Sequence, residues 1–208
     1  MNHHDLSALG AAFGNEALGS QAVFRTALEA LSHPGRVVRV SHDAHVPSQG
    51  HSASAALLLA MLDADCTLWL SPTLAASDAA LWLHFHTGCQ LVNEIATAQF
   101  AWVAKGDAMP ALATLSQGSD AYPDQSATCV IDVNSLSNAP QPQGNWLLQG
   151  PGIQSQQTLN VQGLAADFPA QWAANHAGFP RGVDVFLAAQ SQMVGLPRTT
   201  TIQLQGGH

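Results

Sequence analysis

The chain has 208 residues, of which 47% are hydrophobic and only 10% charged, with a formal net charge of −8. That length fits one generous domain whose core needs neither disulfide nor metal to hold it. The six basic residues, Arg25, Arg36, Arg39, Lys105, Arg181 and Arg198, form no run, which argues against nucleic acid as a partner, and the longest apolar run, Ala55 to Leu62, is too short to span a membrane.

Residues 1–19 are small and polar with scattered glycine, and read as a flexible lead-in to a single α/β domain over 20–208. Ser20 is the expected cap of a first helix with Phe24, Ala27, Leu28 and Leu31 as its apolar stripe. His33-Pro34-Gly35 stops it, since proline cannot continue the ladder and glycine takes the turn. Val37, Val38 and Val40 predict a strand. Ser52 to Leu62 is apolar on nearly every face, so this helix needs cover on several sides, as in the middle of a layered fold. Cys66 to Leu70 reads as a buried strand, Ser71-Pro72 as a turn, and about Ser77 to His86 as a helix closed by Gly88. Phe100, Trp102 and Val103 mark another strand, and Met109 to Leu115 a short helix.

Past Gly118 the rhythm changes. Ala127 to Val133, Trp146 to Leu148, Leu159 to Val161, Val183 to Ala188 and Met193 to Leu196 are short apolar stretches between turn-rich pieces. Such spacing predicts hairpins and antiparallel pairing. One helix, around Ala165 to Ala174, interrupts them. The expected architecture is mixed α/β, helix-rich first and hairpin-rich later.

Low charge leaves Ala, Ser, Thr, Gln and Gly over much of the exterior. Such a surface is cheap to desolvate against another protein, and an alanine-rich compositional bias accounts for it equally well. Cys66, Cys89 and Cys129 are odd in number and set in apolar surroundings, the pattern of reduced, buried thiols in a cytoplasmic protein. The N-terminal Met-Asn-His-His-Asp lacks a basic region followed by an apolar core, so no signal peptide is expected.

Catalytic chemistry finds few residues. Pyridoxal phosphate needs a lysine for its imine, and the chain has only Lys105, in a strand-end Ala-Lys-Gly-Asp where a solvated lysine is the ordinary outcome. No glycine run followed by Lys and Ser or Thr offers a phosphate cradle, and Gly150-Pro151-Gly152 reads as a turn. His84-Phe85-His86 is the most metal-like pattern, but in the last turn of a helix the two imidazoles diverge, and a structural role at the negative helix end fits better. Asp63 and Asp65 read as loop residues sooner than a magnesium pair, and three closely spaced cysteines for an iron–sulfur cluster are lacking. No catalytic, cofactor or metal set is therefore assigned. Pro197-Arg198-Thr199-Thr200-Thr201 has two readings. Arginine with neighbouring hydroxyls can grip a phosphate or phosphonate, or the arginine enters a final strand paired to an acid such as Asp184.

Several segments together resemble a known family. They are Phe24-Arg25, Leu28, Ala30 and Ser32-His33-Pro34-Gly35, then Asp63 to Leu70, Leu83 to Thr87, and Gly150-Pro151-Gly152-Ile153. The most specific are Phe179-Pro180-Arg181-Gly182-Val183-Asp184-Val185 and Gly195-Leu196-Pro197-Arg198-Thr199-Thr200. In this order, from about residue 20 onward, they look like the phosphonate-metabolism protein H (PhnH) family, a component of the bacterial carbon–phosphorus lyase core complex. The resemblance implies a single-domain layered sandwich similar to the main domain of pyridoxal-phosphate-dependent transferases, without that cofactor. It also implies a homodimer in isolation, and assembly with subunits G, I and J. That complex uses MgATP to make α-D-ribose 1-methylphosphonate 5-triphosphate, and the family assigns its own members no catalytic residues. Two functional readings follow: an accessory subunit of that complex, or a stand-alone enzyme or sensor. The latter would bind a phosphonate, nucleotide or ribose phosphate near Arg198, Thr199, Thr200 and Arg25.

Overall fold

A computed structural model describes residues 9–141 and 144–205, and shows a mixed α/β architecture built on two sheets. Helix α1 (Glu16–Ser32) leads to the short strand β1 (Val38–Arg39) and then to helix α2 (Ser52–Met61). Strand β2 (Thr67–Leu70), the single-turn α3 (Pro72–Ala75), α4 (Asp78–Thr87), β3 (Gln90–Leu91) and β4 (Phe100–Val103) follow. The second half holds β5 (Thr128–Asp132), β6 (Ser135–Ser137), β7 (Trp146–Gln149), β8 (Gln157–Gln162), α5 (Phe168–Ala177), β9 (Asp184–Ala189), β10 (Gln192–Leu196) and β11 (Thr201–Leu204).

The larger sheet has the order β1-β10-β9-β5-β4-β2-β3. Strands β9, β5, β4, β2 and β3 run parallel, and β10 lies antiparallel to both β9 and β1. Both faces of this sheet are covered, so its central strands are apolar at consecutive positions instead of alternating with polar ones. Along β9, Phe186 and Ala188 join one core, while Val185, Leu187 and Ala189 join the other. Val130 and Trp102 point into the first core, Cys129, Ile131, Ala101 and Val103 into the second. The first core is closed by α1, α2 and α4. The second lies beneath the smaller sheet, β11-β7-β8-β6, and α5. There Trp146 and Phe168 stack with centroids 5.6 Å apart, and Phe168 on Trp172 at 6.0 Å.

Several boundaries differ from the sequence expectation. Helix α1 begins a turn before Ser20, because Asn15 accepts the Leu18 amide at 3.0 Å and supplies the cap. Its buried stripe is Val23, Ala27 and Ala30, leaving Phe24 and Leu28 exposed. The approach of α1 to the sheet explains the small residues: a Cβ on Gly195 of β10 would lie 2.7 Å from the Ala30 backbone. Strand β5, expected in a hairpin, pairs parallel with β4 and β9; its unbroken Cys129-Val130-Ile131 run belongs to a strand buried on both faces. The expected helix over 109–115 contracts to a 3₁₀ turn at Leu112–Thr114, and α5 starts later than Ala165, with Pro169 in its first turn. Within the lead-in, residues 1–8 lie outside the described residues. Phe13 is buried in the first core, and the Gly10 carbonyl accepts the Trp82 indole N–H at 2.9 Å.

One side chain ties the two sheets. The Asn138 amide accepts the Val37 N–H at 2.9 Å and donates to the carbonyls of Gly35 at 2.7 Å and Thr158 at 2.8 Å.

Candidate functional site

The two motifs carrying the resemblance converge at the amino-terminal edge of β9. There β10 ends in Pro197-Arg198, the turn Phe179-Pro180 precedes β9, and the loop 122–126 leads into β5. These three segments border a shallow, open cleft of about 360 Å³ lined by Pro123, Phe179, Pro180, Pro197 and Thr199 around Arg198, with Asp124 and Asp184 also on its wall. The Phe179-Pro180 peptide is cis.

Arg198 is the hub. Its guanidinium donates to both oxygens of Asp184, with Nη2 2.7 Å from Oδ2 and Nε 3.2 Å from Oδ1. Nη1 reaches the carbonyls of Pro123 at 2.9 Å and Pro180 at 3.3 Å, and Nη2 also donates to the Ser126 hydroxyl. Its backbone N–H donates to Asp184 Oδ1 at 2.8 Å, while its carbonyl accepts from the His176 ring of α5 at 2.9 Å. The side chain is only 12% exposed, against 28% for Asp184. The guanidinium thus neutralises one carboxylate and pins all three segments of the cleft to one another. Of the two readings of Arg198, the pairing with Asp184 is the one the geometry displays.

The other candidate residues divide. Thr199 lines the cleft, whereas Thr200 is fully buried behind it, its carbonyl accepting the Trp172 indole N–H at 2.8 Å and its hydroxyl lacking a partner among the described residues. Arg25 is exposed on α1 and is not part of the cleft wall. His84 donates to the Cys89 carbonyl at 2.7 Å and His86 to that of Gly10 at 2.9 Å, so both imidazoles serve as braces. Asp63 accepts the Asp65 amide at 2.9 Å within its loop. Among the described residues, no three His, Cys, Asp or Glu side chains gather in a metal-like group. No described helix is long and apolar enough to cross a membrane. Cys89 and Cys129 are buried free thiols and Cys66 is half-buried; burial pushes the Cys129 thiol up to about 12.

A second recess was not anticipated from the sequence. At the carboxyl ends of β4, β5 and β9, Lys105, Asp132, Gln190, His51 and Thr73 line a polar cavity of about 260 Å³. Asp132 is buried, and its carboxylate takes the Ser54 hydroxyl and the His51 N–H at the start of α2. Burial pushes the Asp132 carboxyl above the usual carboxylate range, although the Ser54 hydrogen bond and the His51 ring and amide pull the other way. The signal available in the sequence was a lone acid closing an apolar strand.

Comparison with known proteins accords with the resemblance. The profile of the family described as "Bacterial phosphonate metabolism protein (PhnH)" matches residues 11–203. A Rhizobium meliloti protein named alpha-D-ribose 1-methylphosphonate 5-triphosphate synthase subunit PhnH is 37% identical over 192 residues, 92% of this chain and 94% of the relative. A Stutzerimonas stutzeri protein named putative C-P lyase subunit protein HtxG is 33% identical over 193 residues, 93% of this chain and 90% of the relative. The match from one end of the described fold to the other, taking in both motifs that build the cleft, makes this chain a member of the bacterial phosphonate metabolism protein PhnH family.

Proposed function

We infer that the chain is a subunit of the carbon–phosphorus lyase complex that degrades organic phosphonates. In that role it supports formation of α-D-ribose 1-methylphosphonate 5-triphosphate without making or breaking bonds itself. The observation that carries this is the near-full-length likeness to a relative named as a subunit of that synthase. The side chains accord with an accessory part. The sequence's strongest anion-gripping candidate, Arg198, is already spent on Asp184, Ser126 and two carbonyls, and the most metal-like histidines are spent on backbone oxygens. The partners in this reading are subunits G, I and J, with a homodimer when the chain is alone, in the cytoplasm. MgATP is used by the assembly and not held here. The covered parallel sheet is compatible with the fold of a pyridoxal-phosphate-dependent transferase main domain that has no imine-forming role for Lys105.

Co-expression with subunits G, I and J tests the reading. The chain should co-elute with them, and phosphorus NMR should follow conversion of methylphosphonate with MgATP by the assembly, and no conversion by the chain alone. Elution free of all three would remove the proposal. The competing reading puts a phosphonate, nucleotide or ribose phosphate at Arg198, Thr199, Thr200 and Arg25. The lining of the cleft by Arg198 and Thr199 favours it, and the carboxylates of Asp184 and Asp124 beside them oppose it. Calorimetry with ATP and methylphosphonate decides: saturable binding by the isolated chain, lost in Arg198→Ala, carries that alternative.

A further inference from the structure

We propose that the Arg198 cleft is a docking surface for a partner protein of the same assembly. The partner would insert one bulky apolar side chain between Phe179, Pro123 and Pro197 and set a lysine or arginine against Asp124. This rests on the subunit reading above and adds the surface and the chemistry of contact.

The cleft walls are proline and phenylalanine, and Phe179 of the wall is 60% exposed, while Tyr122, next to Pro123 in the chain, is 59% exposed. Uncovered aromatic side chains beside a shaped recess are the usual makings of an interface anchor point. The recess is also held in shape before anything binds, since one guanidinium bridges the loop at Pro123, the turn at Pro180 and the start of β9. A rigid receptor spends less ordering entropy on association.

Charge gives the occupant its sign. Arg198 is neutralised by Asp184 and Arg181 lies 3.2 Å from Asp120, which leaves the exposed Asp124 as the surplus charge of the cleft. The chain as a whole carries −8. A basic residue beside the apolar anchor therefore fits, and an acidic segment is repelled. The surplus carboxylate also disfavours a free phosphonate or nucleotide in this recess.

The test uses the co-expressed assembly with Phe179→Ser and, separately, Asp124→Lys, both at exposed positions. Each variant should keep the melting temperature and the homodimeric elution of the unaltered chain, while binding the partner proteins on the order of tenfold more weakly. Raised salt should weaken the unaltered chain's association and strengthen that of Asp124→Lys, whose like-charge repulsion it screens. Phe85→Ser, an exposed aromatic on α4 at 52%, should associate as the unaltered chain does. If both cleft variants associate normally while the unaltered chain co-elutes, the docking proposal is wrong and the subunit reading stands. If they split the homodimer and spare the partners, the occupant is a second copy and the proposal is overturned. An unaltered chain that binds no partner removes the subunit reading first, and this surface with it.

Discussion

Arg198 is a residue whose guanidinium is already engaged within the fold. A guanidinium has five donors in a fixed fork, and here that fork is answered by a carboxylate, a hydroxyl and two carbonyls. Replacing it with alanine leaves the Asp184 carboxylate sheltered without a counter-charge. Arg198→Ala should therefore cost about 3 kcal/mol in urea denaturation. Arg198→Lys should recover less than half of that, because an ammonium cannot span three segments at once. A loss within the noise of the measurement would show that the cleft is held by its apolar walls alone.

Asp132 makes the opposite case, a buried acid whose environment disfavours its charge. With its carboxyl raised by burial, the folded protein keeps a proton that the unfolded chain has already released. Stability contributed by this group therefore falls as pH rises from the ordinary carboxylate range through the raised folded value. Asp132→Asn removes that dependence. As pH rises above the ordinary carboxylate range, the variant should gain stability relative to the unaltered chain. A constant difference between the two unfolding curves would contradict the assignment.

At the scale of elements, the start of α1 departs from its expected cap. Ser20 is a good cap by type, but it stands within the second turn, whereas Asn15 makes the capping bond. Asn15→Ala should cost about 1 kcal/mol by thermal or urea unfolding, and Ser20→Ala close to nothing. Gly195→Ala tests the packing of α1 on β10. Its new Cβ would fall against the Ala30 backbone, which has no rotamer by which to yield. A loss of about 1–3 kcal/mol is expected, and an unchanged midpoint would show that α1 shifts freely.

Much of this layout was legible because its signals are local. His33-Pro34-Gly35 stops α1 and Ser77 and Gly88 cap α4, while the all-round apolarity of Ser52 to Leu62 anticipates α2 buried from Ala53 to Leu59. Pairing was less legible. Cys129-Val130-Ile131 and Val185 to Ala189 look the same whether their neighbours run parallel or antiparallel, since only segments distant in sequence decide it. The site divided likewise. The Arg198–Asp184 pair could be named because both residues sit in recognisable motifs, but Ser126 and the Pro123 carbonyl contribute backbone and a commonplace hydroxyl. The polar recess around Asp132 depends on the ends of three strands and the starts of two helices meeting, and no stretch of sequence contains it.

The whole molecule is two cores on either side of one sheet, and the smaller sheet packs on the larger across the second core, with Asn138 as a polar tie between them. Asn138 spans over a hundred residues of chain to reach Gly35 and Val37 while also holding Thr158 of β8. Strand β8 is held by main-chain bonds to β6 and β7, and Asn138 adds a polar link from it to the segment before β1. In hydrogen–deuterium exchange, the amide of Val37 and those of β8 should then be released together, as one cooperative unit. In Asn138→Ala the Val37 amide should exchange early, while β8, still zipped to β7, keeps its own slower clock.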